Sequence, residues 1–189
     1  MILCDWQIKE LVFTNHPMIE PFAPRRTEVK ISNGLSSFGY DLTLDTDIRF
    51  IRSGTIDPLT FKQDVEDNKL EIINLPLDDK LSFFIPPHGF VLAKTVEYFK
   101  MPNNVMGICV GKSTYARCGL VVNVTPIEPG WEGYITLELS NTTDSNIRVY
   151  CNQGIAQLCF FRGSEPDKTY ADKRGKYQGQ KEVTYPKGD

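Results

Sequence analysis

The chain has 189 residues, enough for one domain with a sizeable core. Hydrophobic residues make up 41% and charged residues 24%, and 21 basic against 24 acidic side chains leave a net charge of −3. That balance gives no long-range pull towards nucleic acid or an anionic membrane, and no apolar run approaches the length of a bilayer span.

At the start, Asp5 stands where a signal peptide needs its apolar stretch. The five cysteines (Cys4, Cys109, Cys118, Cys151 and Cys159) are odd in number and lack C-x-x-C spacing. The expectation is reduced, mostly buried thiols in a cytoplasmic protein. Residues 4–15 read as one short helix, with Trp6, Leu11 and Val12 among its apolar positions. Thereafter the signals are β. Tyr40, Leu42 and Leu44 alternate with polar residues, and Ile48 and Phe50 repeat the pattern. Runs 81–86 and 89–95 flank Pro86-Pro87, and because proline cannot donate to a central ladder they are read as separate strands. Further strands are expected at 104–110, 119–125, 133–141 and 146–161, punctuated by Pro102-Asn103-Asn104, Pro129-Gly130 and Asn152-Gln153-Gly154. Many short strands at this spacing suggest a sandwich, jelly roll or barrel. Residues 113–119 read as a single helical turn, with Ser113 as N-cap and Gly119 as its stop. The polar stretch 163–189, rich in Lys, Gly and Gln, is expected to have little to bury and to stay mobile or pack late.

Gly111-Lys112-Ser113-Thr114 invites a phosphate-loop reading that fails in detail. Gly107 and Gly111 enclose three residues where that loop needs four, and no long helix follows. A short turn flanked by Lys112 and Arg117 still suits an anion, though an ordinary solvated turn fits as well. In 133–141, a period of two puts Ile135, Leu137 and Leu139 on one face and Thr136, Glu138 and Ser140 on the other. Glu138 is then either a carboxylate in water or a pocket carboxylate able to move protons. The histidines act by exclusion. Zinc nucleobase deaminases use H-x-E with P-C-x-x-C. Here His16 precedes Pro17-Met18, His88 precedes Gly89-Phe90, and P-C-x-x-C is absent. Both histidines are read as plain loop residues.

The block from Gly111 to Leu120, the run Asn123-Val124-Thr125-Pro126-Ile127-Glu128-Pro129-Gly130-Trp131-Glu132-Gly133, and Ile135 to Asn141 together resemble the core signature of the dCTP deaminase family, within the dUTPase-like superfamily. The segments Leu3-Cys4-Asp5, Met18 to Phe22, Ser36 to Leu42, Gly154 to Gln157 and Gly175 to Gln180 fit the same family, so the resemblance runs from near residue 3 to about 180. It implies a mainly β, dUTPase-like distorted jelly roll or β-barrel with short helices. It also implies a single domain over 1–189, a homotrimer with active sites between chains, and a C-terminal segment, from about 163, that folds over the nucleotide. Glu138 matches the general base and acid. Ser113 and Arg117 match residues that hold the attacking water and support the reacting centre. Lys112, Ser113, Thr114, Tyr115, Ala116 and Arg117 match the triphosphate turn. Thr136, Leu137 and Glu138 match the strand that reads the pyrimidine, partly through its backbone. Gln157, Tyr170, Lys176 and Gln180 match further nucleotide contacts.

Glu128 stands where the family usually has an Asp near the deoxyribose 3′-hydroxyl, and the loop 123–127 is shorter than in some members. The longer carboxylate and Pro126 favour dUTP over dUMP as the main product. The implied substrate is dCTP, with Mg²⁺ on its triphosphate, no zinc, no metal ligands in the protein and dTTP as a feedback inhibitor. A bifunctional enzyme that goes on to dUMP and pyrophosphate, and a nucleotide-sensing regulator without turnover, are the alternatives.

Overall fold

The computed structural model describes residues 1–188. In chain order the elements are α1 (Asp5–Val12), β1 (Ile19–Glu20), β2 (Gly34–Ser36), β3 (Gly39–Ser53), α2 (Phe61–Glu66), β4 (Glu71–Asn74), β5 (Ser82–Ile85), β6 (Phe90–Lys100), β7 (Val105–Gly111), α3 (Ser113–Ala116), β8 (Leu120–Asn123), β9 (Glu132–Asn141), β10 (Ile147–Tyr150) and β11 (Gly154–Arg162). The main path of the large sheet runs β7-β11-β3-β6-β9-β8, with β1 added to β6 and β2 and β4 to β3. A two-stranded sheet, β10-β5, lies apart from it. Its two ends meet. Gly107 of β7 and Ile127, just beyond β8, exchange both backbone hydrogen bonds at 2.9 Å. The mainly β, barrel-like expectation therefore holds.

The strands close around one apolar core that includes Tyr40, Leu42, Leu44, Val91, Ile135, Leu137, Leu139, Leu158 and Phe160. Alternation is cleanest in β9, where every second residue from Gly133 to Asn141 is buried. The long strand β3 departs from the expected polar-out pattern. Asp41 and Thr43 are buried as well, because both faces of this central strand are covered. Asp41 is paired with Lys112 at 2.6 Å. Thr43 donates its amide to Glu97, a β6 carboxylate that is 2% exposed and whose other oxygen accepts from Tyr40 Oη at 3.5 Å. Burial pushes the Glu97 carboxyl above the usual carboxylate range.

Several boundaries moved. The segment 146–161 divides into β10 and β11 at the expected Asn152–Gly154 turn. Helix α2 and strand β4 carry no clear sequence signal, since α2 buries only Phe61. Ser113 does not cap α3. Lys112 takes the N-cap position, and no side chain caps the helix. Gly119 does end the turn. Its φ of +82° suits glycine, and a Cβ there would meet Thr143 at 2.3 Å. The five thiols are free, but only Cys151 is fully buried, Cys118 is exposed and the others are half-buried.

The stretch beyond residue 163 buries more than its composition suggested, with Thr169 and Val183 both under 10% exposed. Gln180 forms a parallel bridge with Gly133, and Tyr185 stacks on Phe61 of α2 at 5.5 Å between centroids. Asp189 lies outside the described residues.

Candidate functional site

Beside β9 lies a pocket of about 370 Å³. Thr136 and Glu138 form part of its floor, and Phe90 and Leu92 of the neighbouring β6 give it an apolar wall. Register explains the arrangement. Leu92 is the β6 partner of Glu138, and residues directly opposite on paired strands project to the same face. On its other side, β9 pairs with β8 only as far as Asn123, opposite Glu138. Asn123 Nδ2 donates to Glu138 Oε2. The β9 edge is taken up again at Tyr134, whose amide donates to Gln180 O at 3.0 Å and whose carbonyl accepts from Gln180 Nε2 at 2.6 Å. Ile135, Thr136 and Leu137 are the span between these two contacts.

The loop 124–128 and the chain end complete the enclosure. Glu128, Trp131, Tyr170, Tyr177, Gln180 and Thr184 all line the pocket. The Glu128 carboxylate pairs with Lys173 Nζ at 3.3 Å. Trp131 Nε1 donates to Tyr177 O at 2.9 Å, and Thr184 N donates to Thr136 Oγ1 at 3.3 Å.

The residues expected in one site thus fall into two groups. Glu128, Thr136, Glu138, Tyr170 and Gln180 share the pocket. Lys112, Ser113, Thr114, Ala116, Arg117 and Gln157 do not line it. Ser113, Thr114, Ala116 and Arg117 are exposed on α3 and its end, at the start of β8, whereas Asn123 and Glu138 lie at its finish. Three residues of strand, ~10 Å, separate Leu120 from Asn123. Lys112 is held by Asp41, and Asp41 is the β3 partner of Gln157, so these three belong with α3 on the far side.

Tyr115 is placed differently from expectation, whereas Leu137 lies on the apolar face that the period of two gave it. Tyr115 points into the core, its hydroxyl accepting from Tyr150 N at 3.0 Å, and burial pushes its phenol up to about 12. Leu137 is also in the core, at 0% exposure, so neither side chain can meet a ligand. Lys176 is exposed and donates to Lys187 O. Asn123 and the apolar wall escaped the sequence reading, since only strand pairing sets them beside Glu138. His16 and His88 lie in loops, and His88 Nε2 contacts Asp144 at 2.9 Å. Among the described residues no three His, Cys, Asp or Glu side chains gather as a metal-ligand set, and no helix is long and apolar enough to cross a membrane.

The dCTP deaminase-like family model matches residues 2–163. The chain belongs to this family. It is 48% identical over 175 residues to the dCTP deaminase of Acidobacterium capsulatum, covering 90% of this chain and 91% of that protein. Against the dCTP deaminase of Campylobacter lari it is 49% identical over 188 residues, covering 97% and 95%. The crystal structure of the 2′-deoxycytidine 5′-triphosphate deaminase from Agrobacterium tumefaciens superposes with a TM-score of 0.63 at 19% identity. That match covers 86% of this chain and 46% of the longer one, and it establishes likeness of fold.

Proposed function

We propose that the protein hydrolyses dCTP to dUTP and ammonia, a step towards dUMP and thymidylate, with Glu138 moving the protons. The observation that carries this reading is Glu138 on the pocket floor of a chain that belongs to the dCTP deaminase-like family. A water placed between Glu138 and C4 of the cytosine gives up a proton to the carboxylate as it attacks, and Glu138 passes that proton to N3. The new hydroxyl then yields its proton to Glu138, which delivers it to the departing amine. One carboxylate serves each transfer in turn because it stays within reach of all three atoms. Thr136 and the backbone of Leu137 would meet the pyrimidine edge, with Gln180 and Tyr170 closing the pocket.

Ser113 and Arg117 are assigned to the attacking water and to electrostatic support of the reacting centre, and Lys112 to Arg117, with Gln157 and Lys176, to the nucleotide. Their place outside the pocket of the same chain supports a site assembled between copies, as in a homotrimer, here read as cytoplasmic. Magnesium would be held by phosphate oxygens and water, since the described residues offer it no carboxylate cage. It would offset phosphate charge, away from C4. The chemistry is read as zinc-independent, with dTTP as a competing inhibitor.

The longer carboxylate of Glu128 and the stiffening Pro126 before it favour dUTP as the end product, because they would misplace a second activated water. The test is to incubate the protein with dCTP and Mg²⁺ and to follow ammonia, dUTP and dUMP by chromatography. Ammonia with dUTP is expected. Pyrophosphate and dUMP in step with ammonia would make the enzyme bifunctional. Nucleotide binding without ammonia would make the protein a sensor.

A further inference from the structure

We propose that Asn123 is a positioning residue that fixes one oxygen of Glu138, so that the other oxygen handles every proton of the deamination. The inference rests on Glu138 being the proton carrier and adds a residue to that reading. Asn123 is the last residue of β8 and the direct partner of Glu138 in the β8–β9 register. Its Nδ2 donates to Oε2 of that carboxylate. Asn123 is itself exposed, so its side chain supports no core that would explain the contact.

The chemistry of an amide makes this contact one-sided. Nδ2 carries two N–H donors and no lone pair to offer, and it neither gains nor loses a proton near neutral pH. A proton on Oε2 would face a donor, whereas a bare Oε2 accepts a charge-assisted hydrogen bond. The proton taken from water therefore resides on Oε1. There it is passed to N3 as the C4–O bond forms, and the second is passed from the new hydroxyl to the amine as the C4–N bond breaks. A carboxylate free to turn would place some of its protons on the oxygen away from the substrate.

The other groups around Glu138 do not provide this restraint. From β6 it meets Leu92, and Lys94, one step along the same face, is committed to Asp45 at 2.8 Å. Across the pocket the titratable groups are Glu128, paired with Lys173, and the phenols of Tyr170 and Tyr177.

The experiment compares wild type, Glu138→Gln, Asn123→Ala and Asn123→Asp as full-length proteins, measuring kcat, KM for dCTP with Mg²⁺, melting temperature and the pH profile of kcat. Asn123→Ala should fold normally and keep its KM. Its kcat should fall about tenfold to a hundredfold, the effect of losing one hydrogen bond to a charged group. Asn123→Asp sets a second carboxylate against the first, and like charges hold a proton more tightly. The acid limb of its profile should move up by about one pH unit or more, with activity partly regained in alkali. Wild-type kcat in Asn123→Ala, a loss through KM alone, or an unmoved profile in Asn123→Asp would overturn the proposal while leaving the deaminase reading intact. Wild-type protein that releases no ammonia from dCTP would overturn both.

Discussion

The wall that carries Glu138 and the turn that carries Ser113 and Arg117 are joined by one short strand, β8, yet they are built in opposite ways. Glu138 lies in the longest uninterrupted alternation of the fold, paired on both sides and roofed by residues from the end of the chain. The 113–117 turn is a single helical turn without a side-chain cap, and its Ser113, Thr114 and Arg117 side chains face outward. One patch is thus an enclosed carboxylate on a doubly paired strand, and the other a set of exposed polar groups on an open surface. A charged ligand can be met by exposed donors and drawn in, but a proton carrier needs its geometry fixed beforehand.

Glu138→Gln should have the most severe effect. It keeps size and hydrogen bonding and removes the proton carrier, so ammonia release should fall by ~10²-fold or more, with the melting temperature unchanged. Retention of more than about a hundredth of the rate would remove Glu138 from its role. Mixing sharpens the same point. Co-expressed with Arg117→Ala, the Glu138→Gln chain should regain activity if wall and turn come from different copies. Random mixing would leave about a quarter of the sites with both parts intact. No recovery would mean that one chain supplies both.

A smaller loss is expected from deleting residues from Lys173 onward. This removes Tyr177, Gln180 and Thr184 from the pocket, and misplacement by about 1 Å can cost ~10²-fold in rate. The barrel core is untouched, so steady-state kinetics should change more than the unfolding midpoint. Normal turnover by the truncated protein would make the segment a surface extension.

The smallest effect concerns a carboxylate outside both regions. The Glu97 carboxyl is raised in the folded state by burial, so the fold prefers it protonated. Its stabilising contribution is complete below the ordinary carboxylate pKa, ~4.3, and is lost as pH rises through the raised value. Glu97→Gln keeps an acceptor for the Thr43 amide, exchanges the oxygen that accepts from Tyr40 for an amide nitrogen, and cannot titrate. It should flatten that part of the stability–pH curve in chemical denaturation, leaving kcat unaltered. A curve as steep as wild type would assign the dependence elsewhere.

What the sequence made legible follows from periodicity. The face shared by Thr136 and Glu138, the stop at Gly119 and the break at Pro86-Pro87 could all be read, because each depends on neighbours in the chain. Asn123 beside Glu138 could not, since strand register is a property of pairing. A site shared between chains was implied by the family resemblance alone, while which residues fall on which patch of one chain needed the fold. Tyr115 lies inside a motif that matches the family, yet its side chain turns inward, so a motif names a segment without saying which atoms it presents. Helix α2 was hidden because a six-residue helix that buries one phenylalanine has no period to detect.

The bridge between Gly133 and Gln180 has a consequence for solubility. Past Asn123, β9 has no strand beyond it, and a bare strand edge is a template for pairing with another polypeptide. Gln180 occupies that edge with its own backbone, and Gly133 permits the approach, since a Cβ there would come within 2.9 Å of the Gln180 side chain. The chain end therefore covers this part of the β9 edge as well as lining the pocket. A protein shortened before Gln180 should self-associate at concentrations where the full chain stays dispersed, and an added peptide spanning residues 177–186 should suppress that association by covering the same edge.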